Sequence, residues 1–97
     1  MRIISRTPLR DFSQKHPQAK ALLDAWYAEV SHAHWKSFAD IKLHYQSADV
    51  VAGDRVIFNV GGNKFRLVIK VAYKTGIVYI RFVGTHAEYT RIDAETI

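Results

Sequence analysis

RVIFNVGGNKFRLVIKVAYKTGIVYIRFV, residues 55–83, decides the fold. Apolar and polar side chains alternate along it with the period of a half-buried β-strand. Two glycine-bearing breaks, Gly61-Gly62 and Thr75-Gly76, divide it into three. The pattern predicts strands over Arg55–Val60, Asn63–Tyr73 and Ile77–Val83, all rich in Val, Ile, Phe and Tyr. Two-residue hairpin loops would join them, because glycine accepts the positive φ that such turns require.

Loops of that length predict the register. Asn59 then lies opposite Lys64, Phe58 opposite Phe65, Lys70 opposite Arg81 and Val71 opposite Ile80. One face collects Val56, Phe58, Phe65, Leu67, Ile69, Val71, Tyr73, Val78, Ile80 and Phe82, and is the expected core face. The other collects Asn59, Lys64, Arg66, Val68, Lys70, Tyr79 and Arg81. Like charges set opposite each other destabilise a sheet, and no Asp or Glu within these strands offsets them. A solvated face accounts for single lysines; a cation cluster without interleaved acid points to an anion site. A three-residue turn would flip one strand and disperse the cluster.

Upstream of the strands the period changes to that of helices. Thr7-Pro8 reads as a hydroxyl N-cap followed by proline at the first helical position. That helix should stop before Pro17, which disfavours helical geometry at His16 and can itself open a second helix. Ala19, Leu22, Leu23, Trp26, Tyr27 and Val30 form one apolar stripe on the second helix, as core packing against a sheet requires. Ser37 and Asp40 suit the start of a short helix carrying Phe38, Ile41 and Leu43, SADVVAGD (residues 47–54) reads as a loop, and IIS (residues 3–5) as a short edge strand. The expected fold is α+β, one domain over residues 1–97 with N-terminal helices packed on one face of a small antiparallel sheet.

Composition narrows the function classes. Hydrophobic residues at 48% and charged residues at 24% describe a globular chain, and the absence of cysteine removes disulfides, thiolate nucleophiles and Cys-containing zinc sites. No apolar run approaches the roughly 20 residues of a membrane span, and the start reaches charge too early for a signal peptide, so a cytoplasmic protein is expected. A net charge of +5 favours a polyanionic partner such as nucleic acid, or an acidic protein.

After the third strand comes GTHAEYTRID, residues 84–93, in which Gly84 reads as a strand break. The same register, extended, sets Thr85 opposite Arg66 and brings His86 to the charged face. An isolated histidine is more often structural than catalytic; beside Arg66, Lys70 and Arg81 it becomes a proton-transfer group for phosphoryl chemistry. His32 and His34 would share a face only on a strand, which SHAHW does not form, and His16 and His44 have no partner identifiable in sequence. No carboxylate joins these histidines, so no metal site and no cofactor are expected. The two glycines are not a P-loop, since the G-x-x-x-x-G-K-[ST] spacing is absent.

VIFNVGGNKFRLVIKVAY (56–73), followed by VYIRFVGTHAEYTRID (78–93) and preceded by WKSFADIK (35–42), resembles the HigB-type toxins of type II toxin–antitoxin pairs, within the wider RelE-like mRNA interferase group. The resemblance spans Trp35 to Asp93, and the N-V-G-G-N-K-F-R and G-T-H-x-E-Y segments together carry it. It implies a RelE-like α+β fold and an endoribonuclease acting without metal on mRNA, usually on the ribosome. It also implies a HigA-type helix-turn-helix antitoxin as partner, with DNA met only through that antitoxin. By position, the resemblance carries over to Asn63, Lys64, Arg66, Arg81, His86 and Tyr89. The expected roles are charge stabilisation by Arg66 and Arg81, phosphate positioning by Lys64 and Lys70, and acid–base chemistry by His86. Tyr89 would stack on a base or assist proton transfer, and Asn63 would contact RNA. Arg66 has a structural alternative, pairing with Asp93 or Glu88. The alternative function is a non-catalytic single-stranded RNA-binding module on the same basic face.

Overall fold

A computed structural model describes residues 1–97. In chain order the elements are β1 (Arg2–Ile4), α1 (Thr7–Lys15), α2 (Pro17–Ser31), α3 (Phe38–His44), β2 (Asp49–Val51), β3 (Arg55–Val60), β4 (Phe65–Ala72), β5 (Ile77–Thr85) and α4 (His86–Tyr89). The five strands form one sheet ordered β1-β5-β4-β3-β2, antiparallel except for the β1–β5 pair. The expected α+β class and the edge strand near residue 3 are both present. Residues 49–51, read as loop, instead pair with β3 as the opposite edge. Their alternation is too short to be told from a turn.

Thr7 is not the N-cap of α1. Arg6 takes that position, Pro8 lies in the first turn, and the Ser5 hydroxyl accepts the Thr7 N–H at 3.2 Å. Pro17 opens α2 as expected, and Ala19, Leu23, Trp26 and Val30 bury the predicted stripe. Leu22 stays 43% exposed, at the rim where α2 meets the first hairpin turn, and Leu43 on α3 is 76% exposed. The main core joins α1, α2 and α3 to one sheet face through Leu9, Phe12, Trp26, Trp35 and Ile41 on the helical side. Phe58 is its centre, with the rings of Trp26, Trp35 and Tyr45 around it at centroid distances of 5.5, 6.3 and 5.0 Å. Trp26 and Tyr45 meet Phe58 edge-to-face while Trp35 lies nearly parallel to it, and such contacts add to the area these large rings bury.

Both hairpin loops contain four residues rather than two. Val60 pairs with Phe65 around Gly61–Lys64, and Ala72 pairs with Ile77 around Tyr73–Gly76. Gly61 and Gly62 take φ of +65° and +67°, the left-handed region that the first turn requires. Two extra residues move the partners by two next to each turn and by themselves change no side chain's face; beyond the irregularity in β5 the partners move by only one, so Thr85 pairs with Phe65 and Arg66 with Gly84 rather than Thr85 with Arg66. Val56, Phe58, Phe65, Leu67, Ile69, Val71, Val78 and Ile80 therefore join the helix-backed core as expected, although Phe58 now faces Leu67 and Asn59 faces Arg66.

The alternation does fail in β5. Ile69 pairs with Ile80 but Val68 pairs with Phe82, so Arg81 is the unpaired residue of a β-bulge. Phe82 consequently leaves the helical core, and Val83 takes its place there. Phe82 joins Ile57, Val68, Tyr89, Ile92, Ala94 and Ile97 in a second, smaller cluster on the far face of the sheet, which we call the distal face. Arg55 ties this segment down by donating from Nε and Nη2 to the Ile97 carbonyl at 3.0 and 2.8 Å. No helix is long and apolar enough to cross a membrane.

Candidate functional site on the distal sheet face

The distal face carries two cationic regions separated by the small apolar cluster. Val68 lies midway between Arg66 and Lys70 on β4 and is fully buried in that cluster with Ala94. Arg66 and Lys70 are four residues apart, about 13 Å along a strand. One continuous line of charge, the arrangement expected from sequence, is therefore divided in the folded chain.

The first region holds Arg66 and Tyr89 in contact, with His86, Lys64 and Asn63 on the backbone segments at the same end of the sheet. Arg66 lies on β4 between Asn59 and Gly84. Its guanidinium sits 5.9 Å from the centre of the Tyr89 ring, and it takes part in none of the chain's four ion pairs. The alternative of a pairing with Glu88 or Asp93 is absent: Glu88 accepts from Thr85, and Asp93 accepts from the Glu95 N–H. A cation facing an aromatic ring keeps its full charge, whereas a carboxylate partner would neutralise it. Tyr89 is steadied by Phe82, 6.4 Å away between ring centres.

Local structure explains how His86 and Tyr89 arrive there. Thr85 and Glu88 form a capping box: Glu88 Oε1 accepts the Thr85 N–H at 2.8 Å, and Thr85 Oγ1 accepts the Glu88 N–H at 3.2 Å. These contacts with Thr85 hold the Glu88 carboxyl below its usual range, with smaller help from His16 and Lys15. The box turns the chain from β5 directly into α4, and the His86 N–H donates to the Lys64 carbonyl at 3.1 Å. That bond ties the start of α4 to the glycine turn, bringing the exposed Asn63 and Lys64 to the same end of the sheet as the exposed His86. The T-x-x-E spacing of Thr85 to Glu88 is legible in sequence and is the signal that marks α4.

Gly84 does not break β5, which runs through to Thr85. A side chain at Gly84 would meet the Phe82 ring at 2.5 Å and Glu88 Oε1 at 3.2 Å. The glycine is there for close approach: it leaves room for the Phe82 ring and the capping carboxylate.

The second region holds Lys70, Tyr79 and Arg81, which with Ala72 line a shallow depression of about 260 Å³. Lys70 pairs across the ladder with Tyr79 rather than with Arg81. It does have an acid nearby, contrary to the expectation for this face: Asp54, one residue ahead of β3, lies 3.9 Å from the Lys70 ammonium and 3.0 Å from Arg55. Arg81 is exposed and has no ion-pair partner.

The other histidines lie off this face. His16 stacks on Phe12 at 4.4 Å and meets the edge of Phe65. His32 and His44 line a depression with Glu29 and Tyr45 at the helical side, where burial and then Glu29 push the Tyr45 hydroxyl well above its usual range. It donates to Glu29 at 2.9 Å. No three His, Cys, Asp or Glu side chains converge in a metal-holding arrangement.

Comparison with known proteins places these features in context. Residues 19–92 match the model of the HigB toxin family, described as the RelE-like toxic component of a toxin–antitoxin system. The chain is similar to the mRNA interferase toxin HigB of Escherichia coli K12, with 34% identity over 91 residues that cover 92% of this chain and 88% of that protein. The mRNA interferase HigB of Shigella flexneri matches to the same extent. That of Escherichia coli O6:H1 is 20% identical over 94 residues, covering 95% and 91% of the two chains.

Proposed function

This chain belongs to the HigB family of RelE-like toxins of toxin–antitoxin systems, and from that premise we propose that it is an mRNA interferase whose cleavage site is the Arg66–Tyr89–His86 end of the distal face. The observation that carries the site is the guanidinium of Arg66, free of any ion pair and held over Tyr89, near the turn whose Lys64 carbonyl is bonded to the start of α4.

The reaction is transfer of the scissile phosphate to the adjacent 2′-oxygen. A 2′-O–P bond forms as the 2′-hydroxyl loses its proton, and the P–O5′ bond breaks as the 5′-oxygen gains one. A 2′,3′-cyclic phosphate and a 5′-hydroxyl result. Arg66 stabilises the charge that builds on the phosphate oxygens, since a fixed, unneutralised cation at that point favours the transition state over the substrate. Lys64 and Asn63 hold the phosphate from the turn. His86 is the proton-transfer group, and Tyr89, three residues on in the same short helix, is placed to stack on a base or pass a proton. Arg81 lines the depression beside Lys70 rather than the surface by Tyr89, so in this reading both contact the RNA backbone. The substrate is mRNA on the ribosome, and the antitoxin partner is of the HigA helix-turn-helix type.

The buried stretch around Val68 interrupts the face and counts against an RNA-binding module that stacks successive bases along it. Expression in bacteria with mapping of mRNA 5′ ends tests the proposal. The wild-type chain arrests growth and generates new 5′ ends; Arg66→Ala and His86→Ala relieve the arrest while melting like the wild type. Equal toxicity in both variants refutes the site assignment, and growth arrest without new 5′ ends refutes the cleavage reaction.

A further inference from the structure

Building on the cleavage site proposed above, we propose that Lys70, Tyr79 and Arg81 form a second RNA subsite, where a nucleobase flanking the cleaved bond stacks on Tyr79 while the two cations hold its phosphate. Three observations converge on it. Tyr79 is partly exposed, and Ala72, also lining the depression, offers only a methyl group, so the space in front of the ring stays open. The bulge in β5 sets Arg81 outside the ladder, next to Tyr79 and Lys70, without an acid to neutralise it. Bulges beside functional sites commonly re-aim one side chain in this way. Lys70 has only a long contact to Asp54, at 3.9 Å, while Asp54 is held more closely by Arg55 at 3.0 Å.

An aromatic ring flanked by cations matches an unstacked base of single-stranded RNA, which is recognised by stacking and by charge on its phosphate. Buried Val68 and the 92–97 segment lie between this depression and Arg66. The two regions therefore engage different nucleotides of one strand, and the subsite sets which stretch of message reaches Arg66.

Tyr79→Ala, Tyr79→Phe and Arg81→Gln, expressed with mRNA 5′-end mapping and each checked by thermal melting, test the subsite. Loss of one stacked base lowers cutting by about ten-fold in Tyr79→Ala, and Tyr79→Phe, which keeps the ring, recovers it. Arg81→Gln, changed at an exposed position outside the ladder, lowers cutting without lowering the melting temperature. Unchanged cut frequency in Tyr79→Ala or in Arg81→Gln overturns the subsite, as does a Tyr79→Phe variant as weak as Tyr79→Ala. A wild-type chain that makes no cuts overturns the cleavage reaction itself and the subsite with it, so the two failures are distinguishable.

Discussion

Replacing Gly84 by alanine tests how α4 is positioned. The added carbon would lie 2.5 Å from Phe82 Cζ, 3.1 Å from Phe82 Cε1 and 3.2 Å from Glu88 Oε1. Phe82 is partly buried, packed against Val68 and Ile57 with the Tyr89 ring 6.4 Å away, so its ring can move aside only by giving up these contacts. Overpacking of a well-filled site costs about 1–3 kcal/mol, and for a domain of this size each kcal/mol lowers the melting temperature by roughly 4–8 °C. The expected consequence is a destabilised chain whose Tyr89 and His86 are displaced, with message cutting reduced beyond what the lost stability explains. Phe82→Leu removes the obstructing ring, so the double variant is less destabilised than the two single changes summed. Urea denaturation of the four proteins measures that coupling, expected at about 0.5–3 kcal/mol for residues in contact. Additivity within about 0.5 kcal/mol, or a Gly84→Ala chain as stable as the wild type, refutes the close-approach explanation.

Two further outcomes follow from the same face. Arg55→Met deletes the bonds to the Ile97 carbonyl and to Asp54; hydrogen bonds to a charged group contribute about 1.5–3 kcal/mol, so the denaturation midpoint falls and amide exchange quickens through residues 92–97, whereas unchanged exchange there contradicts the tether. The Glu88 carboxyl is held below its usual range by its bonds to Thr85, so its contribution is complete above the ordinary carboxylate pKa and disappears as pH falls through the lowered value. Stability measured against pH then shows a steeper acid limb in the wild type than in Glu88→Gln, and identical limbs count against the capping box as a source of stability.

Much of the architecture was legible because strand alternation survives errors in loop length when they are even. Two-residue loops in place of four displace each β3–β4 partner by two, yet leave Phe58, Leu67 and Ile69 in the core and Arg66 and Lys70 on the opposite face. The bulge was not legible: IVYIRFV alternates equally well with or without an extra residue, and only pairing with Val68 and Ile69 reveals that Arg81 is unpaired. That ambiguity put Phe82 on the wrong face. The distal cluster was hidden for another reason, since Ile92, Ala94 and Ile97 are too sparse to show a period and acquire meaning only when the chain folds back over Val68. The site was readable as residue types and as a face, but its division in two comes from this covering segment. Asp54 is not identifiable in sequence as the partner of Lys70, because the contact crosses from a turn to a neighbouring strand.

The unpaired position of Arg81 also separates what the sheet needs from what it carries. Excising Arg81 would restore unbroken alternation, with Tyr79 and Phe82 still outward and Ile80 and Val83 still inward, so no other side chain would have to change sides. The cation is an addition to the pairing pattern rather than a replacement within it. A chain one residue shorter at that point keeps its hydrophobic inventory intact, and the sheet can gain or lose this charge without redesigning its core.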